Sequence, residues 1–321
     1  MQRRGVFKFG AGLTALGATV GAGTGCALVD TVPLEPDPVY DAAGAADRIR
    51  RIFEAESTRA GGTWQAKITL LDGAERTAAV DTDSGARRTA ASVNKLGIAV
   101  AVLDKVDRGE LALDDRITLD PDLVIEGSGL YFHQTAYGDE LTVANVLVTL
   151  LMPSDNTAVR LCGLLCAPEE VNRTLEAKGF TDTRVVPSDS DPNRMGLGET
   201  TPAETTDLLV RLAGGDLLSQ AAGGFLLGIL RGLSGYHDGF RRNMSSAERS
   251  RIALKYGADG PTRNESGLVF GDDGAPVLVY SLMAQLDGHH DDYGATHPAV
   301  QAHAAMGRRI LDVLDRIEPS A

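Results

Sequence analysis

Cysteine is almost absent from the chain: three residues in 321, too few for a disulfide framework. Aromatic residues make up only 5% of the sequence, with a single tryptophan, so a core has to be packed from Leu, Val, Ile and Ala. A basic excess is missing too. Asp and Glu outnumber Lys and Arg by 44 to 31, for a formal charge of −13, which argues against a nucleic-acid binder that needs a cationic face for phosphates. There is no internal repeat. What remains is 43% apolar against 23% charged residues, which excludes a disordered or fibrous chain and suits one large domain or two medium ones. Cys162 and Cys166, four apart in a helical-looking stretch, read as small buried apolar side chains.

The N-terminus has a separate character. Arg3, Arg4 and Lys8 precede an uncharged stretch, Phe9 to Val29, built mostly from Gly, Ala, Thr and Leu, the pattern of an export signal. Its paired arginines, followed by Phe7 and Lys8, resemble the twin-arginine signal. Its many glycines make it a poor spanning helix. Cys26, after Gly23-Thr24-Gly25, is a candidate lipidation site without the usual leucine three positions earlier, so a lipoprotein and an unmodified secreted protein both stay open. The expected layout is a signal over residues 1–29 and a proline-rich tether over 30–40. The protein is expected to be exported, either extracellular or anchored to the outer face of the cytoplasmic membrane, with membrane contact only through signal or lipid, and monomeric.

Apolar residues recur at helical spacing from Ala42 to Ser57. Trp64 to Leu71 and Arg76 to Asp81 alternate around the turn Asp72-Gly73 and read as a hairpin. Residues Ser92 to about Ser234 are mostly helical by periodicity, with Gly and Pro marking the breaks. Arg251 to Tyr256 is a strand candidate, Gly267 to Phe270 and Val277 to Ala284 form a second hairpin around Gly271-Asp272-Asp273-Gly274, and His297 to Ile317 is a closing amphipathic helix. This order predicts an α/β (α+β) fold: an antiparallel sheet domain from residues 41–88 and 237–321, flanked by terminal helices, with an all-α domain, 89–236, inserted.

Three short motifs sit at the joints of this layout. Ser92-Val93-Asn94-Lys95 opens an apolar helix, which puts a hydroxyl and an amine on one face near a helix N-terminus; a buried, neutral Lys95 could take the Ser92 proton. Ser154-Asp155-Asn156 lies between two helical runs, and Lys255-Tyr256-Gly257 lies at a strand end. Each alone is ordinary capping or turn chemistry.

In this order the three resemble the signature of the penicillin-recognising serine hydrolases, S-x-x-K, S-D-N and K-T/S-G, and are most similar to the class A β-lactamases and their relatives. Further resemblance runs through LDKVDRGELALDDRITL, EGSGLYF, LTVANVLVTLLMPSDNTAVRL and RNESGLVFGDDGAPVLVYSLM. The resemblance implies the same fold, no cofactor, and a small-molecule β-lactam or peptide-like substrate. It implies that Ser92 is the acylating nucleophile, Lys95 its base or proton relay, Ser154 the donor to the leaving nitrogen, Asn156 a holder of Lys95 and of a substrate amide, and Lys255 a positive charge near Ser154 and the substrate carboxylate. The oxyanion hole would be the backbone N–H groups of Ser92 and Ala258.

Two departures bear on function. Tyr256 replaces the short hydroxyl that receives a substrate carboxylate, leaving Arg263 or the Phe240-Arg241-Arg242 segment as substitutes. The glutamate that activates the deacylating water is also missing: if Arg184 and Pro187 match the family's R-x-E-P, its position is Val186. Asp189 and Asp191 are the candidate replacement bases, against the ordinary reading of loop aspartates as turn formers. The expectation is therefore a serine hydrolase acting on β-lactams or related amides, a β-lactamase of antibiotic resistance or β-lactam breakdown. The alternatives are a penicillin-binding, DD-peptidase-like or esterase protein with slow deacylation, or a low-turnover binding protein. Tyr131 is a candidate substrate contact, though loop packing is its plainer role. No metal is expected, since adjacent ligands such as His289-His290-Asp291-Asp292 more often form a solvated surface. Asp114-Asp115, Glu169-Glu170 and Glu199 read as helix-start charges.

Overall fold

The first helix, α1 (Ala42–Ala60), begins where the Asp41 carboxylate accepts the Gly44 N–H at 2.7 Å and ends at Gly61, whose φ of 74° favours glycine. The computed structural model describes residues 39–134, 136–232 and 239–317; the signal, Cys26 and most of the tether lie outside them. Along α1, Ala45, Ile49, Ile52, Phe53 and Glu56 are buried, a single stripe committed to the core. The hairpin β1 (Thr63–Asp72) and β2 (Glu75–Thr82) comes next. The middle of the chain holds β3 (Arg88–Thr89), α2 (Lys95–Asp107), β4 (Arg116–Thr118), β5 (Glu140–Thr142), α3 (Val143–Leu151), α4 (Asn156–Leu165) and α5 (Pro168–Ala177). It continues through β6 (Arg184–Pro187), β7 (Met195–Thr200), α6 (Pro202–Gly214) and α7 (Gln220–Leu230). Short α8 (Ser246–Ser250), then β8 (Ile252–Asp259), β9 (Thr262–Phe270), β10 (Pro276–Gln285) and α9 (Pro298–Leu314) complete it.

The fold is of the mixed α/β class, as expected. Its main sheet is antiparallel with order β2-β1-β10-β9-β8, so the first two and last three long strands share one sheet and β8 forms an edge. Residues such as Ile68, Leu254, Tyr280 and Leu282 pack on one face with Ile49, Ile52, Phe53, Met306 and Ile310 of α1 and α9. The other face presents Ala253, Leu268, Phe270 and Val279 to a core centred on α2. Leu96 to Leu103 of α2 are all buried, as a helix enclosed by neighbours requires.

The middle segment contains more strand than its periodicity suggests: β6 and β7 pair with each other, and β7 pairs with β3. Met195-Gly-Leu-Gly-Glu-Thr hides this because its glycines break any alternation. The strand expected to stop at Tyr256 runs on to Asp259 and turns at Gly260, φ 47°, directly into β9. β9 starts earlier than expected because Thr262, Arg263, Asn264, Glu265 and Ser266 are polar yet buried, the last four with side-chain partners that the one-dimensional pattern does not reveal. Of the acidic pairs read as helix starts, Glu169 and Glu170 do occupy the first turn of α5. Asp115 instead accepts the Ala112 N–H in a turn at 2.7 Å, and Glu199 lies in β7, 2.9 Å from Arg184.

Candidate active site

The cleft lies where β8 meets the start of α2. It holds about 620 Å³ and is lined by Ala91 and Ser92 at its floor, by Gly127, Ser128, Ser154 and Asn156, by Thr89, Leu197 and Gly198, and by Tyr256, Ala258, Asp259 and Tyr293.

Several backbone constraints place Ser92. Ala91, just before it, has φ 47°, a left-handed conformation that costs a non-glycine residue of the order of 1–2 kcal/mol. The segment is pinned from two sides. Asn264 Nδ2 donates to the Thr89 and Ala90 carbonyls at 2.9 and 3.2 Å, and Asn94 Nδ2 donates to the Leu197, Arg184 and Glu199 carbonyls at 2.6, 3.0 and 3.1 Å. β8 approaches so closely that a Cβ on Gly257 would lie 2.7 Å from the Ser92 nitrogen. Glycine is thus required there for the Ser92 N–H and the edge of β8 to face the same space.

Ser154 is the second strained residue, with φ 58°. It sits between α3 and α4, and its neighbour Asp155 holds the turn: the carboxylate caps α4 through the Ala158 N–H at 3.0 Å and accepts the Leu130 and Tyr131 N–H groups at 2.6 and 2.9 Å. The loop carrying Gly127 and Ser128 is thereby fastened to the same turn.

Both lysines converge here, each with 0% exposure. Lys95 Nζ donates to the Ser154 carbonyl at 2.6 Å, to Asn156 Oδ1 at 2.9 Å and to Ser154 Oγ at 3.2 Å. From the sheet side, Lys255 Nζ meets Ser154 Oγ and the Tyr256 carbonyl, both at 2.9 Å, and lies 4.1 Å from the centre of the Tyr256 ring. Burial pulls Lys95 down to about 7, with Asp155 opposing. Lys255 is pulled well below the usual lysine range by burial and then by the charge of Lys95. Two ammonium groups on one hydroxyl repel each other in a poorly solvated space. A site with one of them neutral gives Ser154 both a donor and an acceptor, a path along which a proton can move.

The structure thus gathers Ser92, Lys95, Ser154, Asn156, Lys255, Ala258 and Tyr256 in one place, and it puts the other candidates elsewhere. Asp189 is exposed in the turn between β6 and β7, while Asp191 accepts the Asn193 N–H at 2.9 Å and pairs with Arg194 at 3.0 Å; neither is among the described residues that line the cleft. Tyr131 is buried, its hydroxyl 3.0 Å from Thr149 Oγ1, in the packing role. Arg263 is buried beneath the Tyr293 ring and donates to the carbonyls of Gly260, Thr262, His289 and Asp292. It shapes the cleft wall without lining it. Leu197, Asp259 and Tyr293 are lining residues that the motifs did not indicate. Asp259 alone had a signal, two places after the third motif; Tyr293 arrives through a loop fold that no sequence pattern announces. Among the described residues no cluster of His, Cys, Asp and Glu is arranged to hold a metal ion, and none of their helices is long and apolar enough to cross a membrane.

A sequence model of the "Beta-lactamase enzyme family" matches residues 44–314. No curated protein matches the chain significantly. Among solved structures, a β-lactamase from Sphaerobacter thermophilus is 26% identical, with 85% of this chain and 99% of that one covered and a TM-score of 0.68. A β-lactamase from Xanthomonas campestris is 23% identical over 85% and 99% of the two chains, with a TM-score of 0.70. A variant of PBP-A, solved as an acyl-enzyme complex with penicillin G, is 21% identical over 86% and 100%, with a TM-score of 0.67. The latter two likenesses are likenesses of fold.

Proposed function

The chain belongs to the beta-lactamase enzyme family, and from that premise we propose that it acylates at Ser92 with β-lactams or related cyclic or peptide amides and esters and releases the acyl group slowly. A hydrolase of the serine β-lactamase and penicillin-binding kind is the common ground; slow release is the finer reading. The observation that carries acylation is the convergence of Lys95 and Lys255 on the Ser154 hydroxyl, at 3.2 and 2.9 Å, beside a serine that lines the cleft.

The chemistry follows from the positions. Neutral Lys95 takes the Ser92 proton as Ser92 Oγ attacks the carbonyl carbon, and the Ser92 and Ala258 N–H groups receive the developing oxyanion. As the C–N bond breaks, Ser154 gives its proton to the leaving nitrogen and is reprotonated from the lysine pair. The product is a Ser92 ester and an amine, which stays tethered to the acyl group when the substrate is a β-lactam and departs when it is an open amide.

Release needs a water activated beside that ester. Asp259 is the only carboxylate among the described lining residues, and it is exposed at the far end of β8. Hydrolysis of the ester therefore proceeds without a positioned general base, a loss of about 10²–10⁴ in rate. A chromogenic cephalosporin tests this. One equivalent of chromophore should appear in a burst, followed by much slower turnover, and Ser92→Ala should remove both. Rapid linear turnover without a burst would contradict slow release, and no reaction with any β-lactam, amide or ester would contradict acylation. The leader-like residues 1–29 support export as part of the same proposal. Fractionation of cells expressing the chain with and without them decides it, and unchanged distribution would count against export.

A further inference from the structure

Among the described residues that line the cleft there is no lysine or arginine. Lys95 and Lys255 are fully buried and spent on Ser154, and Arg263, 2% exposed, is held by backbone carbonyls. The charge that does face the cleft is negative: Asp259, exposed at the end of β8. Beside it stands Tyr293, 43% exposed, its ring 4.6 Å from the Arg263 guanidinium. That guanidinium also grips the His289 and Asp292 carbonyls of the same loop. The ring is thereby stacked on a held guanidinium at the wall of the same cleft that Asp259 lines. The formal charge of −13 adds a background that draws cations and repels anions.

We infer that the cleft prefers acyl donors that carry a protonated amine, which Asp259 recognises at the rim beside Tyr293. This rests on the acyl-enzyme reading above and adds to it the class of substrate. It also accounts for the absence of a short hydroxyl at position 256: the wall that would receive a carboxylate presents an aromatic ring and an acid instead.

The test compares second-order acylation rates of the full chain with benzylpenicillin and with its α-amino analogue, which differ only in the ammonium group. An exposed charge pair at contact distance favours the amino compound about fivefold, and the preference should shrink as salt is raised. In Asp259→Asn the ratio should fall to about one. Equal rates in the unaltered protein, or a preference that persists in Asp259→Asn, would overturn the inference while leaving Ser92 acylation in place. No adduct from either compound would remove the acyl-enzyme itself, and the inference with it.

Discussion

Acylation should titrate near neutral pH, because Lys95, the proposed acceptor of the Ser92 proton, is buried. A lysine in water sits at 10.5, whereas burial brings Lys95 to about 7. The neutral fraction is then about 9% at pH 6 and about 91% at pH 8, so the acylation rate should rise about tenfold over that interval and level off above it. An unshifted lysine would give a rise of about a hundredfold over the same interval and no plateau until above pH 10. Stopped-flow acylation by a chromogenic cephalosporin, from about pH 5 to 10, separates the two. Because Lys255 shares the Ser154 hydroxyl, the inflection belongs to the lysine pair. Stability moves in the same direction. Between about 7 and 10.5 the unfolded chain holds the Lys95 proton and the folded chain does not, so this group makes stability rise with pH across that window. A flat acylation profile, or one that climbs unbroken to pH 10, would refute the assignment of a neutral buried lysine as base.

Other expectations follow from single contacts. Leu197 is the only side-chain-bearing residue of β7 in the described lining, since Gly198, φ 64°, has no room for a Cβ. Leu197→Glu should place a carboxylate beside the Ser92 ester and speed release about tenfold or more; an unchanged adduct lifetime would count against a missing base. Gly257→Ala would put a methyl 2.7 Å from the Ser92 nitrogen and 2.8 Å from that of Val93. Acylation should drop about a hundredfold as the oxyanion donors are displaced, and near-normal rates would show that β8 does not form that site. Asp155→Ala removes the cap of α4 and leaves the Leu130 and Tyr131 N–H groups without their acceptor. A loss of about 3 kcal/mol in urea unfolding is expected, and a loss below about 1 kcal/mol would mean that the turn is held by something else.

Much of this architecture can be read from the chain itself. The hairpin at Asp72-Gly73 and the closing helix stand out because their apolar residues fall on one face with turn and cap residues at their ends. Ser92, Lys95, Ser154, Asn156 and Lys255 stand out because the joint spacing of three motifs is specific where each motif alone is not. What stays hidden is whatever depends on long-range partners. β9 begins with buried Thr, Arg, Asn, Glu and Ser, unreadable until Asn264 is seen tying down the segment that carries Ser92. The partners of Asp191, Arg194 and the Asn193 N–H, are likewise invisible until the β6–β7 turn is placed. Arg263 has the charge expected of a carboxylate receptor, but the fold of the loop at 289–293 claims its guanidinium first.

The acyl-enzyme proposed at Ser92 is a covalent ester with the acyl group of a β-lactam that persists after it forms. Intact-mass measurement of the protein at intervals after mixing with excess benzylpenicillin and then removing it tests this most directly. A single adduct equal to the whole penicillin mass, localised to the peptide containing Ser92, absent in Ser92→Ala and still present long after the free drug is gone, is the predicted result. An unmodified mass throughout, or an adduct that survives in Ser92→Ala, would contradict it.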